Sequence, residues 1–335
     1  MSEMTQLNKT NADSMMDILL CVDKNFLLGC GALIASILFY NKQPIRFHIF
    51  TSEPNQPYIK EQLLSRLKSN VLAASAEFLF YTYENIALYK LLKGKVNERV
   101  LIQCIRIMAP KACKTGSNNL IYLDADIICL GDLSALSRTD LQSSPIGVTV
   151  GGPRNVYGKE IKNYFISGVV VFNLKIWNNT ELDRQCIEFI AEKKPKLADQ
   201  DALNYFASEQ AVIFPAEYQH YWEYNDETVL LHYAAGKPWA PWRYSVNIKA
   251  VNAFRRHCKL FEPDVTQWCS FKKDKQTLVN FNQFHARRAM KYLAQLFKKR
   301  KNYTAALYFY YEHYRIKVKN KGIIGTLLMR SNTRS

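Results

Sequence analysis

The 335-residue chain is 48% hydrophobic, which excludes a disordered polymer and provides for one large α/β domain of about 250 residues with an appendage. Its formal charge of +16 is uneven: residues 271–335 hold 16 Lys/Arg against Asp274 and Glu312, a net +14, leaving +2 for everything before them. The eight cysteines form no C-x-x-C pair and several (Cys21, Cys30, Cys104, Cys129) sit in apolar patterns, which excludes a disulfide scaffold and predicts reduced core thiols of a cytosolic protein.

In chain order, residues 1–15 are polar and predicted disordered. Glu3 and Asp13, with no basic start before an apolar run, argue against a signal peptide. Met16–Asp23 reads as an apolar strand, followed by a buried helix over Phe26–Tyr40, too short and Gly/Ala/Ser-interrupted to span a membrane. Arg46–Thr51 and Glu77–Tyr83 are further strands, separated by a helix from about Gln56 to Lys68. A helix from about Arg99 to Lys114 is interrupted at Pro110. Leu120–Leu130 is a continuous apolar run that predicts a strand buried on both faces, yet it contains Asp124 and Asp126. Ile146–Val150 is a strand, Gly151–Lys159 a mobile loop, and Tyr164–Leu174 a long strand, with Trp177 starting the next helix. Ala198–Asn204 opens a helix with acids at its positive end. Thr228–Tyr233 is a last strand, running into Ala234–Trp239. The basic segment predicts two aromatic helices, about 282–299 and 303–318. Strands alternating with helices predict a mostly parallel sheet flanked by helices, with ligands bound beyond the strand carboxyl ends.

Asp23 and the Asp124/Asp126 pair fall at such ends. On a strand, residues two apart share a face, so both carboxylates converge on one crevice, and a buried pair needs a cation between them. A hard divalent cation whose other ligands are phosphate oxygens fits. His232 is the best third protein ligand, and two Asp with one His suit Mn²⁺ or Mg²⁺ better than Zn²⁺. Gly236-Lys237 fits a backbone approaching a phosphate beside an ammonium.

Cys21–Phe26, Arg106, Leu120–Asp126, Tyr164–Trp177, Asp199-Gln200-Asp201 and His232–Trp239, in this order across residues 16 to 240, resemble glycosyltransferase family 8, the retaining nucleotide-sugar transferases. The resemblance implies an α/β GT-A (Rossmann-like) fold over 16–250 and a basic helical region over 251–335 like that of bacterial lipopolysaccharide core glucosyl- and galactosyltransferases. It places Cys21, Asp23, Asn25 and Phe26 on the uridine and ribose side and sends Arg106 to the diphosphate or donor sugar. Mn²⁺ or Mg²⁺ would be held by Asp124, Asp126 and His232, with Ala125 beside the donor. Gly236 and Lys237 would touch the diphosphate, Asp199 the donor sugar, and Gln200 would lie opposite the leaving UDP. The family usually has Asn at Ile166, and its His-to-Lys spacing is about one residue longer than His232 to Lys237.

The implied function is transfer of glucose or galactose from its UDP-sugar to lipopolysaccharide core, on the cytoplasmic face of the inner membrane. The cationic tail would seat on anionic lipid, each basic residue contributing about 1 kcal/mol. No nucleic-acid motif is present. Two alternatives remain: a relative with another acceptor, such as a self-glucosylating glycogen primer using a tail Tyr, and a non-catalytic polyanion-binding descendant, which Ile166 favours.

Overall fold

The computed structural model describes residues 15–68, 76–221, 224–234, 237–239, 248–262 and 307. All but Met15 of the expected disordered stretch 1–15, the tail helices 282–299 and 303–318 except Leu307, and Gly236 lie outside the described residues. The chain divides into two units, one of Met1–Trp239 with Ser245–Val265, the other of Ala240–Tyr244 with Thr266–Ser335.

In the first unit, β1 (Met16–Cys21), β2 (Ile45–Thr51), β3 (Ala76–Thr82) and β4 (Asn119–Asp124) are the expected strands, all parallel. β6 (Ile146–Val156) and β7 (Lys159–Asn173) extend the sheet antiparallel, and β8 (Val212–Ile213) closes it in the order β3-β2-β1-β4-β7-β6-β8. Helix α1 (Leu27–Tyr40) is apolar nearly all round because it is buried from Leu27 to Leu38, packed against Ile127–Cys129, the helix Gln56–Lys68 and a later helix, Ile248–Phe261. Gly31 permits that approach, since a Cβ there would fall on the Phe261 ring. The expected domain boundary at 250 lies inside this second helix, which belongs to the first unit.

Three readings are corrected. The run Leu120–Leu130 is not one strand: β4 stops at Asp124, Ala125 and Asp126 turn, and β5 (Ile127–Cys129) leaves for a separate sheet, β5-β10-β9, with β10 (Leu230–His232) and β9 (His220–Tyr221). Backbone pairing decides it, because Ile127 sits opposite His232 and Tyr233 N donates to Asp126 O at 2.9 Å. Gly151–Lys159 is not a loop but the end of a long hairpin, turned by Tyr157 and Gly158 at φ 48° and 83°, the two left-handed positions of a tight hairpin turn. Pro153 is tolerated where the β6/β7 register shifts and no ladder donor is needed. Trp177 does not start a helix; it ends α5's successor, α6 (Leu174–Asn178), where α5 is Ser134–Arg138, and α7 (Leu182–Lys193) follows separately. The numbering places α2 at Gln56–Lys68, α3 at Tyr89–Leu92, α4 at Glu98–Met108, α8 at Ala198–Ala207 and α9 at Ile248–Phe261. Pro110 ends the expected 99–114 helix early, leaving one 3₁₀ turn over Pro110–Ala112.

At the amino ends of the central strands, Asp17 is fully buried and takes bonds from His48 Nε2 (2.6 Å), Thr115 Oγ1 (2.6 Å) and Ser117 Oγ. Burial alone would raise its carboxyl, but His48, Ser117 and Thr115 hold it below the usual Asp value. A depressed native value means this contribution is complete above the unfolded value of 3.8 and fades as pH falls through the native one. Asp17→Ala strands the buried His48 and the half-buried Thr115 and Ser117 and is expected to cost about 3 kcal/mol in urea unfolding at neutral pH, less as pH falls through the lowered native value of Asp17.

Candidate functional site

The carboxyl ends of β1 and β4, with the middle of the antiparallel β7 beside them, gather nearly every polar side chain singled out from the sequence. Asp124 ends β4 beside Cys21 of β1. The antiparallel β5–β10 pairing, not sequence proximity, carries His232 to the same point. His232 Nε2 lies 3.1 Å from Asp126 Oδ1 and 3.5 Å from Asp124 Oδ2, and one donor atom from each residue falls within 4.8 Å of the others. Burial pushes the His232 imidazole down to about 4, so it is neutral, the form that ligates a metal. Lys237 Nζ is ion-paired with Asp126 Oδ2, donates to Tyr233 O at 2.8 Å, and lies 5.6 Å from the centroid of the Phe26 ring. Two carboxylates and a neutral imidazole make a donor set that fits a hard divalent cation, and the Lys237 ammonium drawn against Asp126 supplies positive charge at the same carboxylate.

Gln219 and Tyr221 complete the surroundings of His232, and the sequence reading missed both. Gln219 Nε2 is 3.4 Å from His232 Nδ1, while its buried Oε1 and the buried Tyr221 hydroxyl have no bond among the described residues. A metal on Nε2 requires a proton on Nδ1, and the Gln219 carboxamide turned about its axis presents Oε1 to receive it, since the amide's O and N are interchangeable in shape. Gln219→Leu is therefore expected to weaken Mn²⁺ binding about 10- to 100-fold, read by electron paramagnetic resonance titration without substrate. Gly168 packs against this pair, since a Cβ there would fall on the His232 ring.

The second cluster centres on Arg106, in the last turn of α4. Its Nη2 is 2.9 Å from Asp124 Oδ1 and its Nε 3.1 Å from Asp199 Oδ2, while Nη1 donates to Ser167 O (2.8 Å) and Oγ (3.0 Å). Ser167 Oγ donates in turn to Asp199 Oδ2 at 2.8 Å. Although burial opposes the charge, Asp124 and Asp199 push the guanidinium's pKa up. Burial would raise the Asp124 carboxyl, but Arg106 and then His232 hold it below the usual range. Burial wins at Asp199, which stays raised with Arg106 offsetting part of the effect.

A bulge in β7 makes this cluster possible. Val148 faces Val170 but Val150 faces Phe165, so residues 166–169 leave the β6 ladder. The freed backbone turns to side chains: Asn204 of α8 clamps Phe165 N and O at 2.8 Å each, and Gln200 Oε1 accepts from Ser167 N at 3.3 Å. Gln200 Nε2 donates to the Tyr164 hydroxyl (2.8 Å), which donates to Asp201 Oδ1 (2.7 Å). Ile166, half-buried in the same bulge, lies beside Gly151 and offers the site no hydrogen bond.

Asp23 and Asn25 stand one strand over. The Asp23 carboxylate accepts from Asn25 N (2.8 Å) and Phe26 N (3.0 Å), capping the turn into α1, and Asn25 is exposed. Neither bonds to Asp124, Asp126 or His232. Ala125 is buried in the β4–β5 turn, where Gly29 gives its carbonyl room. Cys21 is half-buried, and among the described residues Cys21, Cys30, Cys104, Cys113, Cys129 and Cys186 form no disulfide.

The model of glycosyl transferase family 8 matches residues 17–243. The lipopolysaccharide 1,3-galactosyltransferase of Salmonella typhimurium is 25% identical, over 83% of this chain and 89% of that one. A lipopolysaccharide 1,2-glucosyltransferase of Escherichia coli is 28% identical, over 70% of this chain and 75% of that one. Among solved structures, the galactosyltransferase LgtC in complex with donor and acceptor sugar analogues aligns with a TM-score of 0.56 at 18% identity, covering 75% of this chain and 99% of that one. The sheet and its flanking helices thus form a GT-A glycosyltransferase fold.

Proposed function

The chain belongs to glycosyl transferase family 8, and from that membership we propose that it moves a hexose, glucose or galactose, from a UDP-sugar to lipopolysaccharide core with retention of configuration. The convergence of Asp124, Asp126 and His232 at the mouth of the sheet, with Lys237 beside them, carries the donor half of this reading. The two curated relatives, both named for lipopolysaccharide, carry the acceptor half.

Transfer breaks the bond from the anomeric carbon to the diphosphate and forms one to an acceptor hydroxyl oxygen, leaving the bonding electrons on UDP. A divalent cation bound by the trio supplies charge neutralisation for that diphosphate. Lys237, released from Asp126, adds a point charge on the same oxygens. Arg106 holds Asp124 and Asp199 as anions in fixed positions, so that Asp199 can orient donor-sugar hydroxyls. Cys21, Asp23, Asn25 and Phe26 form the nucleoside side at the end of β1.

Retention requires a nucleophile on the face opposite UDP or attack from the same face. Gln200 is an amide tied to Ser167 and Tyr164, a poor nucleophile, and Asp199 is tied to Arg106 and Ser167. Same-face attack therefore suits the site, with a leaving phosphate oxygen taking the acceptor proton. Radiolabelled UDP-glucose and UDP-galactose, supplied with deacylated lipopolysaccharide core and Mn²⁺, test the reading: label should enter the acceptor in α linkage. A β product would overturn retention, and label retained only in the donor would overturn the acceptor. Ile166, which cannot hydrogen-bond a donor sugar, favours a second reading as a polyanion-binding protein, for which UDP release would be absent.

No helix of the described residues is long and apolar enough to cross a membrane. The +14 segment at 271–335 is proposed to hold the enzyme on the anionic cytoplasmic leaflet of the inner membrane. Deletion after residue 280 should abolish co-sedimentation with phosphatidylglycerol vesicles and leave UDP binding intact; sedimentation by the truncated chain would contradict it.

A further inference from the structure

The chain of bonds that leads away from the metal-binding trio ends on a guanidinium without a carboxylate. It passes from Arg106 through Asp199 and Ser167 to Gln200, and from Gln200 to the Tyr164 hydroxyl. Arg154 follows, its Nη1 3.5 Å from that hydroxyl and its guanidinium 4.9 Å from the centroid of the Tyr164 ring. The hydroxyl is already committed, donating to Asp201 and accepting from Gln200, so Arg154 gains one long bond and an aromatic face. Most of its five donors are unspent.

Arg46, Arg66 and Arg106 each pair with a carboxylate, whereas Arg154 forms no ion pair among the described residues. It is half-buried rather than free in solvent, and it is held in place. Arg154 faces Ile161 across the hairpin, and the hairpin is pinned to the helices beneath it by Tyr157 Oη to Lys193 O (2.6 Å) and Lys159 Nζ to Tyr205 O (2.8 Å). Exposed Lys162 on the hairpin, with Lys194 and Lys196 after α7, adds positive charge without ion pairs among the described residues. A half-buried guanidinium with spare, preorganised donors, stacked on a tyrosine, matches the fork geometry of an oxyanion. The donor diphosphate is not that anion, because the trio and Lys237 lie at the other end of the bond chain, beyond Arg106.

We propose that Arg154 binds an oxyanion on the acceptor, a phosphate ester or a sugar carboxylate, and so selects anionic acceptor saccharides next to Gln200. The assignment rests on the acceptor reading above. Glycosyl-transfer rates would be measured for the full chain and for Arg154→Gln with three forms of lipopolysaccharide core: native, dephosphorylated with hydrofluoric acid, and carboxyl-reduced. Wild type is expected to lose roughly ten- to a hundredfold in kcat/KM, mainly through the acceptor KM, with whichever form lacks the oxyanion. Arg154→Gln should show that loss already with native acceptor and little further loss when the group is removed, and Arg154→Lys should fall between. Equal wild-type rates with all three forms, or the same further loss in Arg154→Gln as in wild type, would overturn the assignment. No transfer by wild type to any form would instead overturn the acceptor reading, and the assignment with it.

Discussion

Asp126→Asn is expected to lower UDP release by roughly 10²- to 10³-fold while leaving the chain folded. The side chain is placed by a turn whose backbone bond, Asp126 O to Tyr233 N, does not need the carboxylate. What the substitution removes is the carboxylate facing His232 and Lys237, and hence one of the proposed cation ligands. The amide is isosteric, so the urea midpoint should move by less than about 1 kcal/mol of stability. Mn²⁺ titration should show the same loss of affinity. Undiminished turnover by this variant would remove the metal assignment.

The second large effect falls on folding. Arg106→Met fills the same space but leaves the half-buried Asp124 and the buried Asp199 without their guanidinium and Ser167 without its donor. Breaking a buried ionic cluster by removing one partner costs about 3–5 kcal/mol, read as a lower urea midpoint at neutral pH. Asp199 is already raised by burial, and losing Arg106 raises it further. A carboxyl whose native value lies above its unfolded value binds more protons when folded, so the variant should recover stability as pH falls through that raised native value toward the unfolded 3.8. A variant as stable as wild type at neutral pH would contradict the cluster's role. Arg106→Lys should be nearly as damaging, because an ammonium cannot fork between two carboxylates and a carbonyl.

The parallel half of the sheet was legible because β1, β2 and β4 are buried on both faces and read as apolar runs bounded by polar residues. The antiparallel hairpin was not. Its Gly, Pro and Asn residues carry loop signals, yet the register shifts at Gly152 and Arg154 absorb them and Tyr157-Gly158 makes a tight turn. β8 and β9, at two residues each, are too short for any periodicity to reveal.

In the site, residue types were legible and their placement was not. Asp124 and Asp126 were expected to share one strand face, but β5 leaves the large sheet to pair with β10, and that pairing brings His232 to Asp126. Ser167 and Gln219 gave almost no signal. One is a polar residue in an apolar strand whose bulge is decided by pairing, the other a buried amide in a 3₁₀ turn before β9. Arg154 sat in what reads as a loop. Only the hairpin's pairing places it over Tyr164, one hydroxyl from Gln200.

The central claim, a metal-dependent UDP-sugar transferase centred on Asp124, Asp126 and His232, is tested most directly by UDP release. A panel of UDP-sugars would be supplied with Mn²⁺, Mg²⁺ or EDTA, with and without truncated lipopolysaccharide. The account predicts release from UDP-glucose or UDP-galactose that requires the cation and rises with acceptor. Release that persists unchanged in EDTA, or no release from any sugar, would contradict it.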